Sequence, residues 1–100
     1  MLNIRFVPIA RREFEDARDW YEERNRGLGQ RFEAAVHAKL LSIREHPELY
    51  AVAHNDLREA SVGKFPYTIY FRVDIDEVIV ASVFHNSRNP DVWQSRLDDA

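Results

Sequence analysis

Six residues in the second half of the chain have side chains that could do chemistry together: Arg58, Lys64, Tyr70, Arg72, His85 and Arg88. Cleaving a phosphodiester without a metal requires a group that takes a proton from the attacking hydroxyl and cations that meet the developing negative charge. An imidazole at His85 suits the first role, and guanidinium groups at Arg58 and Arg88 suit the second, with the Tyr70 phenol as a fourth candidate. The same residues also have an ordinary structural reading. His85 can hydrogen-bond the following turn, Asn86-Ser87-Arg88-Asn89-Pro90, and Arg58 can pair with Asp56, Glu59 or a helix carboxylate. Position decides between the two, because the residues cooperate only where a sheet gathers them onto one surface.

Other chemistries lack their usual residues. The four histidines, His37, His46, His54 and His85, never fall at the i, i+4 spacing of a helical zinc motif, and the chain has no cysteine. No metal site is expected. There is no Gly-rich phosphate loop and no Gly-x-Ser-x-Gly elbow, so no cofactor is expected either. The neighbouring acids Glu22 and Glu23, and Asp98 and Asp99, read as solvated charge rather than an acid/base pair.

The elements that must position the candidates follow from periodicity. Leu2, Ile4 and Phe6 alternate with Asn3 and Arg5, which predicts a half-buried strand ending at Pro8. Proline suits a helix start, and Ala10, Phe14, Ala17 and Tyr21 then recur at helical spacing. Asn25-Arg26-Gly27 stops that helix. A second, with Leu28, Phe32, Ala35, Val36, Leu40 and Ile43 on one face, runs until Pro47 forces its end. The short link between them predicts an antiparallel helical hairpin. Three β-rich segments follow, Leu57 to Val62, Tyr67 to Val73 and Val78 to Phe84, with turn-length separators. The expected fold is therefore α+β, in the order β-α-α-β-β-β, with the hairpin on one face of a mainly antiparallel four-stranded sheet. Residues 1–96 form one domain, followed by a short acidic tail at 97–100.

Composition bounds the function. With 45% apolar and 31% charged residues and no apolar run near the roughly 18 residues of a membrane span, the chain reads as a globular, cytoplasmic protein without a membrane partner. The net charge is −3, and neither half holds a basic surplus, which weighs against direct nucleic-acid binding through phosphate neutralisation. The basic set is mostly Arg, which favours forked contacts to an acidic partner. Trp93 has two readings, a cap on the core beneath the last segment and an anchor for a partner.

The ordered series Trp20-Tyr21, Gly27-Leu28-Gly29 before Phe32, Arg58, Phe65-Pro66-Tyr67 with Tyr70, and His85 to Pro90 followed by Trp93 and Arg96 resembles the RelE/ParE toxin superfamily. The resemblance covers nearly the whole chain and is nearest to the ParE-like, plasmid-stabilisation branch. It implies a small bacterial toxin held inactive by a cognate antitoxin protein. It also implies one of two targets. ParE-like members poison DNA gyrase, whereas RelE-like members cut messenger RNA in the ribosome without metal. For cleavage the matching residues are Arg58, Tyr70, His85 and Arg88. For partner or target binding they are Arg58, Lys64, Arg72, Arg88 and Trp93. The lysine-rich surface typical of RelE-like members is absent, and a domain that keeps only the fold and the antitoxin contact is the remaining alternative.

Overall fold

A computed structural model describes residues 2–94 and 96. The acidic tail expected at 97–100 lies outside the described residues. Strand β1 (Asn3–Phe6) leads into helices α1 (Pro8–Arg24) and α2 (Leu28–Glu45). A 3₁₀ turn at Pro47–Leu49 precedes β2 (Val52–His54), β3 (Leu57–Ser61), β4 (Tyr67–Val73), β5 (Glu77–His85) and a short helix α3 (Asp91–Gln94). None of the described helices is long and apolar enough to cross a membrane.

The strands form one sheet in the order β1-β5-β4-β3-β2. Four neighbours were expected and there are five, because Val52–His54 folds back on β3 through a tight turn at Asn55-Asp56. Asn55 takes a φ of 52°, a left-handed conformation that asparagine tolerates better than most residues. The pairs β2–β3, β3–β4 and β4–β5 are antiparallel. The first strand runs parallel to β5, so the chain's earliest strand closes onto its latest. An Arg5–Glu77 pair, 3.1 Å apart, sits across that junction.

Both long helices cover one face of the sheet. Ala10, Phe14 and Ala17 of α1 and Phe32, Val36, Leu40 and Ile43 of α2 are buried against Ala60, Val62, Ile69, Phe71, Val78, Val80 and Val83. Burying each large apolar side chain contributes roughly 1.5–3 kcal/mol, which makes this layer the main source of stability. The two helices approach closely at Gly29, where a Cβ would stand 2.6 Å from the Arg18 carbonyl oxygen. Nearby, the Glu22 carboxylate accepts hydrogen bonds from the backbone N–H groups of Gly27 and Gly29 at 2.9 and 3.0 Å. Glu22 thus caps the start of α2 instead of standing free in solvent.

On the far face a smaller cluster forms from Leu57, Ile79, Ala81, Phe84 and Trp93, with Tyr70 packed against it. Trp93 comes from α3, a helix that the sequence does not announce. Four residues are too few for a helical period to show.

Candidate functional site

Two devices of the backbone set up the site. The first is a β-bulge. Pairing along β4–β5 passes from Tyr70↔Ser82 directly to Phe71↔Val80, leaving Ala81 as the extra residue. An extra residue inverts the alternation of side chains, so Val78 and Val80 face the helices before it, and Val83 faces them after it. The second is the early end of β1. Its last ladder contact is the Val7 N–H to the Val80 carbonyl, 3.0 Å, and beyond that point the edge of β5 lies next to α1.

Glu13 of α1 fills the gap. Its Oε1 accepts from the Val83 N–H at 3.1 Å and from the Ser82 hydroxyl at 2.9 Å. Arg96 donates to both carboxylate oxygens, from Nη1 at 2.9 Å and from Nη2 at 3.0 Å. Its Nη1 also reaches the carbonyl of the bulged residue, Ala81, at 3.0 Å. The carboxylate thus satisfies the N–H of the strand edge, and the guanidinium satisfies the carboxylate and the carbonyl of the bulge. Nothing local distinguishes Glu13 on the polar face of α1, because its partners stand 69 to 83 residues away.

Next to this hub an open groove of about 570 Å³ runs between α1 and the ends of β4 and β5. Asp16, Trp20 and Tyr21 line one wall, and Tyr67, His85 and Arg88 line the other. His85 pairs with Tyr67 across the strands, and the rings meet edge-on with centroids 5.0 Å apart. Its Nδ1 accepts from the Ser87 N–H at 3.1 Å and lies 2.8 Å from the Ser87 hydroxyl. A neutral imidazole that accepts at Nδ1 carries its proton on Nε2, so the free edge of His85 is a donor. The turn-binding reading of His85 therefore describes its geometry. Arg88 lies over the Phe84 ring, 5.0 Å from its centroid, with Nη1 3.7 Å from Glu13 Oε2. Burial raises the Tyr67 phenol above its usual value of 10.0, with the neighbouring Tyr21 acting in the same direction, so both rings offer hydroxyls and not anions to the groove.

The other candidates lie elsewhere. Tyr70 stacks on Trp93 on the far face, ring centroids 3.6 Å apart and 17° from parallel. Burial, and then Glu59, raise its phenol above 10.0. Arg72 shares that face, across from Ile79, and is engaged by Asp74 at 3.4 Å and Asp56 at 3.9 Å. Arg58 sits opposite Phe71, on the helix side, and its Nη1 donates to the Tyr50 carbonyl at 2.6 Å. None of the carboxylates expected for Arg58 takes that place. Lys64 is exposed in the β3–β4 turn. Trp93 is buried, as the core-cap reading expects. The sheet does not gather the six candidates onto one surface. The bulge turns His85 toward the helices, and strand alternation turns Tyr70 and Arg72 away from them. Among the described residues no group of three or more His, Asp or Glu side chains is placed to hold a metal ion.

Comparison with known proteins gives a family and a fold. Residues 4–90 match the family described as the ParE toxin of the type II toxin–antitoxin system parDE. Among solved structures, a chain of the chromosomal ParDE toxin–antitoxin system from P. aeruginosa superposes with a TM-score of 0.67 at 13% identity, covering 85% of this chain and 96% of that one. A chain of the YoeB–YefM complex from Staphylococcus aureus gives 0.57 at 18% identity, covering 85% and 98%. At these identities the likeness is one of fold. No curated protein sequence matches the chain.

Proposed function

This chain belongs to the ParE toxin family of type II toxin–antitoxin systems, and from that premise we propose that it poisons a DNA-transacting enzyme such as DNA gyrase and is neutralised by a cognate antitoxin. Fold does not choose between gyrase and messenger RNA as target. The observation that carries the choice is the dispersal of the four groups a nuclease would need. His85 and Arg88 share the α1–β5 groove, Tyr70 lies on the opposite face beneath Trp93, and Arg58 is spent on the Tyr50 carbonyl. The Nδ1 of His85, one of the two ring positions that could take up a proton, already faces the Ser87 N–H. Binding needs no such constellation. A poison acts by fitting a protein surface, and the net charge of −3 suits a protein target better than ribosomal RNA. On this reading the protein acts in the cytoplasm.

RNA cleavage is the second reading, favoured by one observation only, the shared groove of His85 and Arg88. Induction of the intact gene separates the readings. Trapped gyrase–DNA cleavage complexes with intact messages, unchanged in His85→Ala, are the expected result. Codon-positioned breaks mapped by primer extension, absent in His85→Ala and Arg88→Ala, would establish the nuclease instead. Normal growth at high expression would leave a non-toxic domain that keeps the antitoxin contact.

A further inference from the structure

Helix α2 has a second ordered face, opposite the one it buries. Phe32, Val36, Leu40 and Ile43 pack in the core beneath it. On the solvent side Arg31, Ala34, Ala38, Leu41 and Glu45 recur at spacings of three, four, three and four, so they form one narrow row along the helix, and all five are exposed. The outer face of a helix in a two-layer domain is ordinarily polar. The middle of this one is apolar. Leu41 is 49% exposed, and it borders an apolar cavity of about 260 Å³ that Ile4, Phe6, His37 and Leu40 also line. A partner seated on Leu41 therefore takes apolar surface of both the row and the cavity out of water.

The row ends in opposite charges. Among the described residues neither Arg31 nor Glu45 makes an ion pair. No opposite charge stands three or four residues from either along α2. A reversed copy of the row meets these charges. Arg31 then falls on Glu45, Ala34 on Leu41 and Ala38 on itself, so plus meets minus and small meets large about a two-fold axis at Ala38. A parallel copy would set Arg31 on Arg31 and Glu45 on Glu45, with like charges opposed.

We propose that a second copy of this chain docks antiparallel on the outer row of α2, giving a two-fold dimer in which Leu41 covers Ala34 of the partner subunit and Arg31 pairs with Glu45 of the partner subunit. One helix laid on another makes a small interface, under about 1,200 Å² in all, so the dimer comes apart on dilution. None of the five residues lines the α1–β5 groove, so self-association is separate from any activity there.

The chain itself is the probe, made by cell-free synthesis and followed by sedimentation velocity from ~1 μM to ~300 μM, the range in which a small interface associates by mass action. Its average mass should rise from monomer toward dimer. Leu41→Lys and Arg31→Glu change exposed side chains, so circular dichroism should be unaltered, and each should raise the dimer dissociation constant by about tenfold or more. Ile75→Lys, a fully exposed apolar residue in the β4–β5 turn, should leave it unchanged. The charge exchange Arg31→Glu with Glu45→Arg should restore association, because the antiparallel pairing is re-formed with its signs reversed. A wild-type chain that stays monomeric throughout would overturn the proposal, as would wild-type association in both single variants. Failure of the exchange to restore what Arg31→Glu loses would overturn the antiparallel register. A monomeric chain whose binding to the product of the adjacent open reading frame is lost in Leu41→Lys would assign this face to that partner and not to a second copy.

Discussion

Arg96 holds Glu13 through both of its terminal nitrogens, at 2.9 and 3.0 Å, across 83 residues of sequence. Their side chains are 10% and 12% exposed, so the pair is largely out of water. Removing one member of a buried pair costs about 3–5 kcal/mol, because the other is left charged and unpartnered. Glu13→Ala and Arg96→Ala should each lower the urea-derived unfolding free energy by about 3 kcal/mol. The double variant should cost clearly less than the sum. Additive losses would show that the two residues act separately.

Gly29 sits where the helices cross, and any Cβ there meets the Arg18 carbonyl oxygen at 2.6 Å and Glu22 Cβ at 2.9 Å. Gly29→Ala, which by helix propensity alone should stabilise α2, is expected to destabilise by about 1–3 kcal/mol through overpacking. A raised melting temperature in this variant would contradict the close crossing.

The Arg5–Glu77 pair predicts the shape of the acid limb. A hydrogen bond from Arg5 lowers the folded-state pKa of the Glu77 carboxyl below its ordinary 4.5. The unfolded chain therefore takes up this proton first as pH falls. The pair's contribution is fully present above about pH 4.5 and fades as pH drops through the depressed folded value. Glu77→Gln should flatten the stability–pH curve in that window, because it removes a small contribution from the neutral region and leaves the stability at low pH almost unchanged. Both side chains are accessible, so 1 M NaCl should erase much of the difference.

At the alkaline end the phenols of Tyr21, Tyr67 and Tyr70 set the limit. Burial is the first cause of the upward shift in all three, so folded protein holds these protons above pH 10 while the unfolded chain releases them. Stability from this source is intact below pH 10 and is lost as pH rises through the folded values. Absorbance at 295 nm should show late ionisation of these phenols together with unfolding. Tyr70→Phe should make the alkaline decline shallower.

Trp93 joins the far face to the last described segment by stacking on Tyr70. Trp93→Ala should cost about 3–5 kcal/mol, in line with large-to-small aromatic substitutions. Trp93→Phe should recover most of it. If both variants kept wild-type stability, Trp93 would be serving a partner rather than the core.

How far the sequence spoke for itself depended on the range of the forces involved. Helix α1 is readable because Ala10, Phe14 and Ala17 recur with the helical period, and β4 because every residue of Tyr67–Val73 except Arg72 is aromatic or β-branched. Strand β2 escaped notice because it has three residues and an irregular register, and it is held by β3 rather than by its own pattern. The candidate site was less legible. Its membership turns on the bulge at Ala81, which no local signal announces and which decides which way His85 faces. Glu13 and Arg96 each look like ordinary surface charges until the fold brings them together.

The parallel pairing of β1 with β5 orders events during synthesis. Residues 3–6 emerge from the ribosome first, yet their hydrogen-bonding neighbours, residues 77–80, are among the last strand residues to follow. Until then the helical hairpin has no completed sheet to rest on, because β5 is also the strand that β4 needs. Such long-range closure makes folding wait for β5. A fragment that stops before residue 77 lacks the strand that pairs with β1, the Ser82 and Val83 partners of Glu13, and one wall of the groove beside them.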